Sequence, residues 1–428
     1  MKKLIALLLC LTLVFGLVAC TTQTPANEPS DTQTTEPADT QKEPADTQTT
    51  EPADAKPFKV GVILVHDENS GYDMAHIEGV KAAQAALGLS DDQIVYKYNI
   101  PEDEKCYDTA IDLVEQGCSI IFSDSFGHAS YMMQAAREVP EVFFVACTGD
   151  TAALQGLDNV ANMFPYTFQS RYVSGVVAGM KLKELMDAGT VTDPYVGYVG
   201  AYPYAEVVSG YTAFFLGIRS IVPDAHMDVQ YTNSWYDPTA EAEAANALMS
   251  KGCVIIGQHA DSTGAPSAVQ AAQDAGKVVY SVGYNIDMIS VAPTAALTSS
   301  QNNWGALYTP VIEKAMKGEA IPVDLALGYA DDAVMISKLG ESCAAGTQEA
   351  IDAVIAALKD GSLEVFDCST FTVNGEHPTT FTALDTDGDF EPDTGEAITD
   401  GIFHESTLRS APYFAMRIDG ITELNANG

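Results

Sequence analysis

From Phe58 onward the chain alternates short, almost wholly apolar runs with longer stretches in which apolar residues recur every three or four positions. Lys59–Val65 (KVGVILV) is the first such run. A central strand of a parallel sheet is buried on both faces and reads this way. The polar loop His66–Met74 follows, then helical spacing over Ala75–Leu87. Asp108–Gln116 predicts a helix stopped by Gly117, with strands at Ser119–Phe122 and Glu141–Ala146. The cycle then restarts. Tyr172–Asp187 predicts a long helix in which Gly175 and Gly179 point to close packing, and Tyr195–Ala201 (YVGYVGA) resembles the first strand. Val208–Val222 and Glu241–Lys251 read as helices; Met227–Tyr231, Val254–Gly257 and Val278–Val282 read as strands. Further helices fall at Gly305–Lys317, just after Trp304, and at Ala350–Lys359. Strands alternating with helices imply βαβ units and parallel sheets.

Two segments repeat one design. Asp112–Ser125 reads DLVEQGCSIIFSDS and Ala247–Ser262 reads ALMSKGCVIIGQHADS. Each runs helix, Gly, Cys, strand and a polar loop carrying Asp-Ser. Their positions in successive α/β blocks predict two similar lobes, and a cleft between domains is a usual small-molecule site. In open α/β sheets, ligands bind in loops at the carboxyl ends of strands. Those loops are Ser70–Asp73, Ser123–Gly127, Ser234–Asp237, Gln258–Ser262 and Gly283–Asp287. In the third, Asp237 is a good N-cap, Pro238 a good first helical residue, and Trp235 sits just before them. From its own window Trp235 reads equally as core or as a stacking platform. The loops mix flat aromatic rings with Asp, Asn and Ser, and contain no Arg or Lys. That suits a planar, polar, uncharged or cationic ligand and disfavours phosphate esters.

Charge and composition narrow the picture. Asp plus Glu number 59 against 21 Lys plus Arg, a formal net charge of −38, which argues against nucleic acid as a partner. Residues 21–57 are low-complexity Thr, Gln, Pro, Ala, Asp and Glu, with EPADTQ repeated at Glu36–Gln41 and Glu43–Gln48. Such a segment cannot bury enough apolar surface to fold and reads as a tether, roughly 30–35 Å in r.m.s. span if flexible. Before it, Lys2 and Lys3 precede the apolar run Leu4–Val18, which is short for a membrane span of about 20 residues. Leu17-Val18-Ala19-Cys20 resembles a bacterial lipobox, which implies cleavage before Cys20 and its acylation.

No G-x-G-x-x-G, P-loop, G-x-S-x-G or H-E-x-x-H occurs, and the reading calls for no catalytic residue, cofactor or metal. His128 and His259 occupy equivalent strand-end loops and read as polar lining or hydrogen-bond partners. The acidic run Asp385–Glu396 resembles a calcium loop, but Phe390 stands where such a loop needs Gly, so it reads as an acidic hairpin.

Taken in order, these loops resemble the basic membrane protein family of solute-binding lipoproteins, which includes purine nucleoside receptors of ABC importers. The resemblance spans about Phe58 to Gly318 and is strongest over Asn233–Gly252, Ile255–Ser262, Val282–Met288 and Ala292–Ser299; Arg171–Met180 fits the family's helix entering the second lobe. It implies a type I periplasmic-binding fold of two Rossmann-like lobes, three crossovers and a hinge. It also implies a purine stacked between Tyr72 and Trp235. Asp73, Ser125, Phe126 and Asp261 would be further ligand contacts, with Gly283, Asn285 and Asp287 on the ribose side. One departure is that Thr298–Gln301 leads to Asn302, where nucleoside receptors carry Lys. The Ser234–Pro238 and Gln258–Ser262 segments are more similar to the subgroup that binds a free base such as adenine.

The expected organisation is a leader at 1–20, a tether at 21–57, a first lobe of 58–168 plus about 297–320, and a second lobe of 169–296 plus about 321–362. A β-rich extension over 363–428 follows. The expected function is a lipid-anchored, extracytoplasmic binding subunit that serves an ABC permease and ATPase. A sensory receptor of the same fold, and less readily a nucleoside hydrolase, are the alternatives.

Overall fold

The computed structural model describes residues 57–386 and 391–426. The leader, Cys20, the tether before Pro57, and Asp387–Phe390 of the acidic loop lie outside the described residues.

The first lobe runs β1 (Val60–Ile63), α1 (Gly71–Leu87), β2 (Ile94–Lys97), α2 (Glu104–Glu115), β3 (Ile120–Ser123), α3 (Ala129–Glu138), β4 (Phe143–Ala146) and β5 (Val160–Met163). The second runs α4 (Thr167–Asp187), β6 (Tyr195–Gly200), α5 (Ala205–Arg219), β7 (His226–Tyr231), α6 (Pro238–Lys251), β8 (Ile255–Gln258), α7 (Gly264–Asp274), β9 (Tyr280–Tyr284) and β10 (Ala296–Asn302). The chain then returns as α8 (Gly305–Lys317) and β11 (Asp324–Leu325), and crosses again to β12 (Val334–Ile336) and α9 (Thr347–Asp360). The tail adds β13 (Thr382–Leu384), β14 (Thr394–Glu396), β15 (Ile398–Thr399), β16 (Ile402–Phe403) and β17 (Ile421–Glu423).

The first sheet has the order β11-β5-β4-β3-β1-β2 and the second β12-β10-β9-β8-β6-β7-β17. Every pairing in the first is parallel; in the second only β12 runs antiparallel, against β10. β1, β3 and β8 are buried at every position, which explains their largely apolar sequences. In both sheets the order reverses beside the first strand of the lobe, which creates the crevice where doubly wound sheets take ligands.

Glycines set two helix contacts. A Cβ on Gly175 of α4 would stand 2.1 Å from the Phe214 carbonyl oxygen, and one on Gly217 of α5 2.1 Å from that of Tyr172. α4 and α5 therefore touch backbone to backbone, as the sequence suggests for Gly175. In the first lobe, a Cβ on Gly79 would meet that of Trp304 at 2.4 Å, so α1 accepts the start of α8.

Two boundaries differ from the sequence reading. β10 pairs with β9 in the second sheet, so the return to the first lobe begins after Asn302, not near 297. β11 pairs with β5 and keeps the chain in the first lobe past 320. The tail is also more than an appendage. β17 extends the second sheet beside β7, and Phe366, Phe403 and Phe414 are buried in that lobe's core, with Phe366 and Phe414 stacked at 4.3 Å.

Candidate ligand-binding site

The lobes meet along the carboxyl ends of their strands. Gly71 N donates to the Asp261 carbonyl at 3.1 Å, a backbone hydrogen bond from one lobe to the other. The rings of His66 and Tyr236 lie 5.6 Å apart across the junction, and those of Phe126 and Tyr204 6.0 Å apart. Between them is a cavity, at the kind of interlobe position that small-ligand sites favour. Its wall consists of Val65, Tyr72, Asp124, Ser125, Phe126 and Thr148 from the first lobe, and Glu206, Trp235, His259, Asp261 and Tyr284 from the second.

Local structure explains how the first-lobe groups arrive. Ser70 caps α1 by accepting from Asp73 N, so the helix begins at Gly71 and places Tyr72 in its first turn rather than in a loop. Tyr72 is nearly buried, and its hydroxyl donates to the Asp124 carbonyl at 2.8 Å. Its ring packs edge-on to His76 and to Trp304, and those two stack on each other at 3.8 Å. Asp124 Oδ1 accepts from Val65 N at 3.0 Å. Ser125 Oγ donates to Glu102 at 2.6 Å, and Phe126 is 40% exposed at the cavity's edge.

On the second lobe, Asp237 caps α6 by accepting from Thr239 N and Ala240 N, both at 3.0 Å, with Pro238 in the first turn. This fixes the loop bearing Trp235. The Trp235 indole is half-buried, edge-on to Tyr202 with centroids 5.2 Å apart, and its carbonyl accepts from Asp261 N at 2.8 Å. Asp261 Oδ1 accepts from Asn285 Nδ2 at 2.9 Å. Behind the wall, buried Arg171 lays its guanidinium over Tyr284 at 3.6 Å and donates to the Gln258 carbonyl at 2.6 Å. No Lys or Arg lies on the wall itself.

Of the residues expected at the site, Tyr72, Ser125, Phe126, Trp235 and Asp261 lie on the cavity wall. Four do not. Asp73 is buried beneath the His66 loop and accepts from His66 N at 2.7 Å. Gly283 packs against Ser299 and Met288, where a Cβ would meet Ser299 Oγ at 2.4 Å. Asn285 braces Asp261 from behind. Asp287 caps the turn at Met288–Ser290 and lies 3.7 Å from Lys338. His259 lines the cavity, whereas His128 is buried, with Nε2 2.9 Å from the Ile100 carbonyl.

The sequence reading did not select Val65, Asp124, Thr148, Glu206, His259 or Tyr284 as ligand contacts. Val65, Asp124, Thr148, His259 and Tyr284 end a strand or stand within two residues of one, and that rule applied evenly would have found them; Glu206 lies farther on, in the first turn of α5.

The cavity is rich in carboxyl groups whose ionisation burial opposes. Burial raises Asp124 well above the ordinary carboxylate range, with Asp73 adding to the effect. It raises Asp261 in the same way, aided by Glu241, Asp73 and Glu206 and opposed by Arg171. Glu206 is pushed to about 7 by burial, against the pull of Arg171. His259 is held well below its usual range by burial and then by Arg171, so it is neutral. Aromatic faces, hydroxyls and carboxyls can stack a flat ring and accept its N–H groups. They offer nothing to balance an anion.

Two α/β lobes closed over an aromatic and acidic cavity define a solute-binding protein. The chain belongs to the Bmp family, described as ABC transporter substrate-binding protein PnrA-like, whose match covers residues 59–357. It is 33% identical over 261 residues to a purine-binding protein of Brucella abortus, covering 61% of this chain and 69% of that one. It is 31% identical over 253 residues to a putative ABC transporter glucose-binding protein of Haloferax volcanii, covering 59% and 60%. A solved ABC transporter solute-binding protein of Aeropyrum pernix superposes with a TM-score of 0.61 at 15% identity, covering 75% of this chain and 95% of that one. Another, from Conexibacter woesei, gives 0.58 at 20% identity, covering 72% and 98%. The fold is thus the periplasmic-binding fold, and family and fold alike are those of substrate-binding proteins. Among the described residues no helix is long and apolar enough to cross a membrane.

Proposed function

We propose that this protein captures a purine, as the free base or a nucleoside, on the extracytoplasmic face of the membrane and delivers it to an ABC permease and ATPase. Acylated Cys20 would hold it to the membrane through the tether at residues 21–57. The observation that carries the ligand reading is the cavity wall: Tyr72, Phe126, Trp235 and Tyr284 supply aromatic surface, Asp124, Glu206 and Asp261 supply carboxyl groups, and no cation is present. The purine-binding relative supports it. A free base is favoured over a nucleoside, because Gly283 and Asp287, the residues matched to the ribose side, pack away from the cavity. A thermal-shift screen tests this. Adenine, guanine, hypoxanthine or their nucleosides should raise the melting temperature by mass action. If none does at millimolar levels, the purine assignment fails.

A hexose is the second reading, favoured by the Haloferax volcanii relative. Aromatic faces and carboxylates also suit sugar rings. Glucose in the same screen, shifting the melt where purines do not, would select it.

A further inference from the structure

Resting on the purine reading, we propose that Glu206 determines which purine the cavity prefers, because its carboxyl group presents two different hydrogen-bonding faces in its two protonation states. Glu206 lies in the first turn of α5, lines the cavity from the second lobe and keeps 15% of its side chain exposed. Its Oε1 stands 3.3 Å from His259 Nε2. That contact orients the carboxyl group without consuming it, since each carboxylate oxygen has two lone pairs. His259 is fixed in turn. It is buried, and its Nδ1 faces Gly210, where a Cβ would intrude to 2.7 Å.

The groups facing Glu206 come from both lobes. Arg171 of α4 draws it toward ionisation, while Tyr72 of α1, Tyr198 of β6, Tyr284 of β9 and Asp261 feel its charge. Burial and Arg171 therefore act in opposite directions, and Glu206 changes charge near neutrality, at about 7.

The chemistry follows from hydrogen-bond complementarity. An ionised carboxylate presents two adjacent acceptors and matches two adjacent N–H donors, as on the N1–H and 2-amino edge of guanine. A protonated carboxyl presents one acceptor and one donor and matches the 6-amino and N1 edge of adenine. The same residue thus favours adenine when protonated and guanine when ionised. A glutamine has the donor–acceptor pattern of the protonated acid and keeps it at every pH.

The test is a titration of the protein with adenine and with guanine, read by tryptophan fluorescence at about pH 5.5 and about pH 8. In the wild type, the ratio of guanine Kd to adenine Kd should fall about tenfold or more between the two pH values, the scale expected of one bidentate pair. Glu206→Gln should prefer adenine at both. A wild-type ratio that does not move with pH overturns the proposal and needs no variant. So does a Glu206→Gln protein whose ratio still moves as in the wild type. If neither base binds the wild type at either pH, the purine reading itself fails, an outcome distinct from purine binding without selectivity.

Discussion

Trp235 is the residue whose role changed most with context. In its own window an indole before a capped helix reads as core or as platform, because packing under a helix and facing a ligand demand the same side chain. In the fold it is both: Asp237 and Pro238 start α6, and the half-buried indole lies on the cavity wall beside Tyr202 while packing against the second lobe's core. Trp235→Ala should weaken purine binding by about 1–3 kcal/mol, the worth of one stacked base, as measured by calorimetry. Because the side chain is only half-buried, the ligand-free melting temperature should change little. Full affinity in that variant would remove the stacking role. Glu206 escaped the sequence reading because it stands past the strand end in YPYAE, beyond the residues that a loop pattern marks. Its burial is set by both lobes and has no local signature. Its carboxyl is raised from 4.5 to about 7 in the fold, so the native state binds the proton more tightly than the unfolded chain. The resulting stabilisation is full below about 4.5 and is lost as pH rises through about 7, up to about 3 kcal/mol. In ligand-free melts, Glu206→Gln should therefore gain on the wild type as pH rises across that window. A constant gap between the two proteins would show that Glu206 does not titrate there.

At the scale of elements, β1 and β3 were legible because burial on both faces leaves an apolar run, α4 because it is long and mostly apolar, and α6 because Asp237, Pro238 and Gly252 mark its ends. β2, α3, β5 and α7 were not. β2 (IVYK) is an edge strand that is partly buried at every position, and β5 (VANM) carries buried Asn162. α7 opens on Gly-Ala-Pro, which reads as a turn although Pro is tolerated in a first helical turn. α1 starts at Gly71, four residues before the helical spacing that begins at Ala75, because Ser70 caps it within a stretch of loop-like composition. The contact of α4 with α5 is a sharper case, since Gly175 marked it from sequence and the geometry explains why. Gly175→Ala would drive a methyl group into the Phe214 carbonyl region. It should cost about 1–3 kcal/mol in denaturant unfolding, an overpacking penalty. An unchanged midpoint would mean that the two helices can separate without loss.

For the whole molecule, the tail bridges the two lobes. Phe366, Phe403 and Phe414 tie the tail to the second lobe, while Arg409 Nη1 lies 3.3 Å from Asp150 and Ser410 Oγ donates to Asp324 at 2.8 Å, both on the first lobe. These residues lie beyond the family match, which ends at 357, so no family pattern could have announced them. Arg409→Ala combined with Ser410→Ala should lower the population of the closed state and raise the ligand Kd several-fold, since apparent affinity scales with the competent fraction. Calorimetric titration of the double variant against the wild type checks this; equal Kd values would mean that the tail does not bias closure. The measurement that bears most directly on the central claim is isothermal titration of the folded protein with adenine and, separately, with glucose. The account predicts saturable, one-to-one binding of adenine and no comparable heat from glucose. Saturable binding of glucose with none for adenine or any other purine would contradict it.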